Sequence, residues 1–189
     1  PDEFTSAMGW SGETPLYGPA WASLTALLTL AGGGSFMTTV LLFKLFFAVV
    51  HLVNGMLVMR IARGWETLTG GPRPIKAAAF YLWNPPVLTQ NVGDAHNEGG
   101  ALVWLLVGIW LLQRRDDITG AAAGAMSVLV KYVTAPIMLL FAVVRLREAG
   151  PRRAILFVAI CAAVAVLAYA PYLSGFSATH FMRPYEHSS

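Results

Sequence analysis

The chain has 189 residues, of which 56% are apolar and only 12% charged, with 18 glycines and a formal net charge of +3. A soluble domain carries roughly 25% charged residues, and a chain of this length has more surface than so few charges cover. A water-soluble enzyme, a disordered tail and a nucleic-acid binder are thereby excluded, and an all-α integral-membrane protein is expected.

In chain order, the first 17 residues are loop-like and begin at Pro1, while the other end is the polar run His187-Ser188-Ser189. The pattern reads as a fragment, with any targeting helix upstream. It forms a single membrane domain, in which 1–35 is an external loop with an interfacial helix, 36–173 holds transmembrane helices and hairpins, and 174–189 is an external loop. The apolar run at 20–31 is the interfacial helix, anchored by Trp10, Tyr17 and Trp21 in an aromatic belt. Gly32 to Gly34 end it, and no Gly-Lys-Ser/Thr follows to make them a phosphate loop.

Windows 36–59 and 154–173 are each long enough to span a bilayer, which takes roughly 20 residues. The stretches 77–93, 99–112, 118–130 and 132–144 are shorter. A helix over 99–112 reaches only about 21 Å of a hydrocarbon core about 30 Å thick. They are expected to pair as two helical hairpins with submerged tips at Gly93–Glu98 and near Lys131. Backbone at that depth must line a cavity or be covered by protein. The single Cys161 permits no internal disulfide and reads as a small packed residue.

Ten basic residues fall in three connecting segments: Arg60, Arg63, Arg73 and Lys76; Arg114 and Arg115; Arg145, Arg147, Arg152 and Arg153. Cytoplasmic loops collect such residues, so all three segments lie on that side and the chain rises and returns between them. The external face then gathers Asp2, Glu3, Glu13, Asp94, Glu98 and Glu186 with His96, His180 and His187, against the lone Arg183.

The hairpin from Asn84 to Leu102, NPPVLTQNVGDAHNEGGAL, is the most polar stretch at membrane depth. Pro85 and Pro86 break its ascending helix. Gln90, Asn91, Asp94, His96, Asn97 and Glu98 need water, substrate or each other to satisfy them, unless the stretch is an ordinary solvated loop. Asp94, His96 and Glu98 alternate, and suit either an acid/base set or ligands for a divalent cation. The same residue types would hold sugar hydroxyls. On the first span, Lys44 and His51 lie about 20° apart and Asn54 about 80° away, forming a polar stripe. Lys44 and Lys131 are each placed either for a lipid phosphate or for snorkelling to an interface, and Lys44 also for pairing with a carboxylate. Tyr132 follows Lys131, and the helix breaks before Pro136.

TPLYGPAW (Thr14 to Trp21), the hairpin above and LVKYVTAP (Leu129 to Pro136) resemble, in order and spacing, the Tyr-Gly-Pro segment, the Asn-Pro to His-Asn-Asp-Ala-Leu hairpin and the lysine hairpin of bacterial polyprenol-phosphate-mannose-dependent mannosyltransferases. These are multi-spanning glycosyltransferases of the GT-C superfamily. The resemblance implies a polyprenyl-phosphate-linked donor of mannose or a related hexose, a glycan or glycolipid acceptor, and a multi-pass protein of the bacterial cytoplasmic membrane with its active face external. By position it implies substrate-binding roles for Tyr17, Asn84, Asn97 and Lys131, with Lys44 and Tyr132 beside them. The chain departs from the family pattern at Glu98, where Asp is usual, and Gly99, where Ala is usual. The resemblance also implies a base in the first external loop; Asp2 and Glu3 match that position poorly, so the base is expected upstream, with Asp94, His96 and Glu98 as nearer candidates. Two other readings stand beside this one: a transporter or channel subunit with a midplane polar site, and a noncatalytic membrane scaffold.

Overall fold

The computed structural model describes residues 17–69 and 73–175, with side chains to Tyr172, so Asp2, Glu3, Trp10, Glu13, His180, Arg183, Glu186 and His187 lie outside the described residues. Its described part is helical. Helix α1 (Pro19–Ala31) is followed by the long α2 (Phe36–Thr69), α3 (Pro74–Leu82), the single turn α4 (Pro85–Leu88) and a π-turn at Thr89–Gly93. Then come α5 (Glu98–Gln113), α6 (Asp117–Val130), a 3-10 turn at Tyr132–Thr134, α7 (Ala135–Ala149) and α8 (Pro151–Tyr169), with a last 3-10 turn at Ala170–Gly175.

The sequence sets these boundaries through a few residues. Proline stands at the start of α1, α3 and α4, where its missing N–H removes no helical bond. Asp116 caps α6 by accepting from the Thr119 N–H at 3.2 Å, and that bond holds its carboxyl below the usual range. Gly150 ends α7 at φ 83°, a conformation that costs glycine little.

Helices α2 and α8 are long and apolar enough to cross a membrane, and the segments Pro85–Gly93 and Glu98–Gln113 qualify together as a third, bent by 111°. The chain is therefore a membrane protein, as its composition requires. Beyond the expected end of its span at residue 59, α2 runs on to Thr69.

Both α3 and α5 pack on α2, but the tightest packing joins α5 to α6, across the short turn rather than across a submerged tip. The reason is steric. A Cβ at Gly108 would lie 3.1 Å from the Gly120 carbonyl oxygen and 3.2 Å from Gly124 N, so the helices meet backbone to backbone. Leu105, Leu112, Ala121, Met138 and Phe157 form a buried core joining α5, α6, α7 and α8. Cys161 is half-buried beside it, its thiol 3.5 Å from the Ala121 carbonyl, in keeping with a packed residue.

The bundle has two chemically different ends. At one, Arg60 and Arg114 both lie over the Trp110 ring, at 5.4 and 5.0 Å. Buried Arg145 there pairs with Asp117 at 3.0 Å and donates to the Leu112 carbonyl at 3.1 Å. The other end, one length of α5 or about 24 Å away, holds the bend at residues 93–98.

Candidate active site

The broken segment owes its shape to Pro85 and Pro86. Neither has an N–H, so the carbonyls of Tyr81 and Leu82 lose their ordinary helical donors. The Tyr81 carbonyl takes the Asn84 N–H at 3.3 Å instead. Asn84, expected to bind substrate, caps α4: its Oδ1 accepts from the Val87 N–H at 3.4 Å.

The polar stripe on α2 meets the other carbonyls around the break. His51 Nε2 lies 3.2 Å from the Leu82 carbonyl, Asn54 Nδ2 donates to the Gly99 carbonyl at 3.1 Å, and the Lys44 ammonium donates to the Gly93 carbonyl. A carbonyl can only accept, so Nε2 of His51 carries the proton. The imidazole stacks on Tyr81 with centroids 5.1 Å apart, and the Tyr81 hydroxyl accepts from Asn91 Nδ2 at 3.1 Å. His51, Asn54 and Asn91 are all buried. Tyr81 was not signalled by the sequence, whereas Asn54 was marked by its place on the stripe and Asn91 by the polar run of the hairpin.

Beyond the π-turn the chain reverses through Asp94 and Ala95, the latter at φ 53°, an uncommon conformation for a residue with a side chain. The turn does not gather Asp94, His96 and Glu98 into one set of three. Alternate residues share a face in an extended strand, and here Asp94, Ala95 and Asn97 are not extended. Asp94 and His96 are exposed, Glu98 is directed to Lys131, and no group of three potential His, Cys, Asp or Glu ligands exists among the described residues.

What the fold does bring together is Asn97, Glu98 and Lys131. The Lys131 ammonium pairs with Glu98 Oε1 and lies 3.5 Å from Asn97 Oδ1. Both charged side chains are partly open, 28% for Lys131 and 42% for Glu98, so the pair is accessible to a competing anion. Lys131 itself is extended, between the end of α6 and the 3-10 turn. Buried Ser127 and Thr134, both missed by the sequence reading, fasten it. The Thr134 hydroxyl donates to the Lys131 carbonyl at 3.2 Å, and the Ser127 hydroxyl to the Ala101 carbonyl at 2.7 Å. Ser127 stands four residues before Lys131, one helical turn away, which is the signal that could have found it.

Tyr17 lies at the same end. It is 44% exposed and packs edge-on against Trp21, with centroids 6.1 Å apart, while Trp21 packs on Phe47 at 5.9 Å. Tyr132 is likewise exposed, in the turn after Lys131. A Cβ at Gly18 would stand 2.0 Å from the Leu129 carbonyl oxygen, so only glycine lets α1 dock on the end of α6. An open groove of about 660 Å³ runs between α1, α2, α5, α6 and α8. Leu24, Phe46, Val103, Trp104 and Leu167 line it, and so do Gly100 and Val130, which lie close in the chain to Glu98 and Lys131.

The family of alpha-(1->6)-mannopyranosyltransferase N-terminal domains matches residues 3–148, a span that includes every one of these residues except Leu167. The chain belongs to that family. Alpha-(1->6)-mannopyranosyltransferase A of Corynebacterium glutamicum is 28% identical over 134 residues, which cover 71% of this chain and 26% of that protein. The chain thus spans about a quarter of the length of the curated relative it matches. No solved structure matches. Membership bears out the mannosyltransferase resemblance read from the sequence.

Proposed function

We propose that this chain is the donor-binding part of a membrane glycosyltransferase that moves mannose, or a related hexose, from a polyprenyl-phosphate carrier to an external glycan or glycolipid acceptor. The observation that carries the reading is the apolar groove whose wall includes Gly100 and Val130, two residues after Glu98 and one before Lys131 in the chain. A hydrocarbon chain in the groove would set its phosphate beside Lys131, where it competes with the Glu98 carboxylate for the ammonium. Lys44, at the same bend, is a second cation within this region.

The chemistry asked of the site is a displacement. An acceptor hydroxyl attacks the anomeric carbon, a base takes its proton, and the carrier phosphate leaves with the electrons of the broken C–O bond. Lys131 would stabilise that phosphate as negative charge grows on it. Asp94 and His96, exposed at the bend, are placed for the acceptor side. The bend end faces outward in this reading and the arginine-rich end faces the cytoplasm. The bent span would also suit a solute transporter, but family membership favours the transferase.

Sugar transfer by the full-length protein in membranes, with a polyprenyl-phosphate mannose donor, tests the proposal. Lys131→Ala should raise the donor KM about 10- to 100-fold, as expected for loss of a charged partner, and leave the acceptor KM unchanged. An effect on the acceptor alone would refute the phosphate role. Glu98→Gln and His96→Ala should each reduce transfer severely without changing membrane insertion, and unchanged transfer in both removes the bend from the site. Transfer assayed with and without EDTA decides whether a divalent cation takes part.

A further inference from the structure

Asn97 is the N-cap residue of α5 yet makes no side-chain cap, although asparagine is favoured there because its side-chain oxygen accepts from the first turn. Its amide oxygen faces Lys131 instead, and its Nδ2 is buried without a partner in a residue only 4% exposed. The next residue repeats the pattern with opposite sense. Glu98 Oε1 is taken by Lys131, while Oε2 is buried and accepts from no other described residue. One unpaired donor and one unpaired charged acceptor therefore stand on successive residues beside the cation.

The mixture restricts what satisfies both. A phosphate oxygen would accept from Asn97 but be repelled by Glu98 Oε2, and a metal cation would suit the carboxylate but not the amide N–H. A hydroxyl accepts and donates, so neighbouring hydroxyls match the two atoms together. The backbone beneath is already fixed. Asn54 holds the Gly99 carbonyl, and a Cβ at Gly99 would come within 3.0 Å of Asn91 Oδ1, which leaves no room for a larger residue to shift the bend.

We propose that Asn97 and Glu98 form a hydroxyl-reading subsite for the transferred sugar, adjoining the phosphate position at Lys131. The proposal rests on the lipid-phosphate donor reading given above. It assigns Asn97 Nδ2 to donate to one ring hydroxyl and Glu98 Oε2 to accept from the same hydroxyl or its neighbour. The sugar is then selected by the positions and orientations of these hydroxyls, independently of the carrier.

Monodeoxy analogues of polyprenyl-phosphate mannose, assayed with the full-length protein in membranes, test this. In the unsubstituted protein at least one analogue should lose about 10- to 100-fold in kcat/KM, the range for a hydrogen bond to a charged group. Asn97→Leu and Glu98→Gln, both close in shape to the original, should fall on the parent donor and no longer distinguish it from that analogue. Sugar-free polyprenyl phosphate should inhibit Asn97→Leu as well as it inhibits the unsubstituted protein, which shows that the variant is folded and keeps its phosphate position. Variants that still discriminate at every hydroxyl as before overturn the subsite while leaving the donor reading intact. Use of none of these donors by the unsubstituted protein overturns the donor reading, and the subsite with it.

Discussion

Gly18 shows how a single atom decides a contact. With the Leu129 carbonyl oxygen 2.0 Å from where a Cβ would sit, Gly18→Ala forces α1 away from α6. A change that overfills packed structure costs about 1–3 kcal/mol, and thermal unfolding in detergent should show a loss of that size. Because α1 lines the apolar groove, the same variant should also raise the donor KM if that groove holds the donor; an unchanged unfolding temperature would show that the contact is not made. The Tyr-Gly-Pro motif was legible in the sequence, but the reason for its glycine was not, since Leu129 is far away along the chain. Ala95 at φ 53° is the opposite case. Nothing in its identity announces a left-handed residue, and the turn it makes leaves Asp94 and His96 exposed while Glu98 meets Lys131.

Among the elements, α2 is the scaffold on which the broken hairpin is hung. Lys44, His51 and Asn54 lie on one stripe and reach the carbonyls of Gly93, Leu82 and Gly99. An unsatisfied buried carbonyl costs about 1–3 kcal/mol. His51→Ala should therefore destabilise the protein by that amount and lower transfer, whereas His51→Gln, whose amide N–H also reaches a carbonyl, should recover most of both. Pro86→Ala gives residue 86 an N–H for the Leu82 carbonyl, so in that background His51→Ala should cost markedly less. Additive losses in the double variant would show that the Leu82 bond is not what His51 supplies. The proline break and the polar stripe were each visible in the sequence. That one serves the other was not, because it depends on α3 packing against α2.

Across the described residues, the buried ion pair of Arg145 and the proposed site lie at opposite ends. At the basic end, Arg145 ties together α5, α6 and α7 through the Leu112 carbonyl, Asp117 and Glu148. Removing one partner of a buried ion pair costs about 3–5 kcal/mol. Arg145→Met should fall near the lower figure, because Arg153 remains 3.6 Å from Asp117 Oδ2. Its unfolding temperature should drop while donor KM in the surviving protein stays the same, since the bend is about 24 Å away. A donor KM that moves with stability would show that the two ends are coupled.

Composition alone determined that the protein lies in a membrane, because too few charges are present to face water. The clustering of arginines separated the two ends, and Pro85-Pro86 located the break. Each of these is a local property, set within a few residues or by their totals. Tertiary packing decided the rest. It directed Glu98 to Lys131 across 33 residues of sequence, turned the Asn97 side chain away from capping α5, and opened the groove between five helices. Such contacts follow from how helices pack, through glycines that let α5 touch α6 and α1 touch Leu129, and no pattern along the chain records which carbonyl or carboxylate then comes within reach.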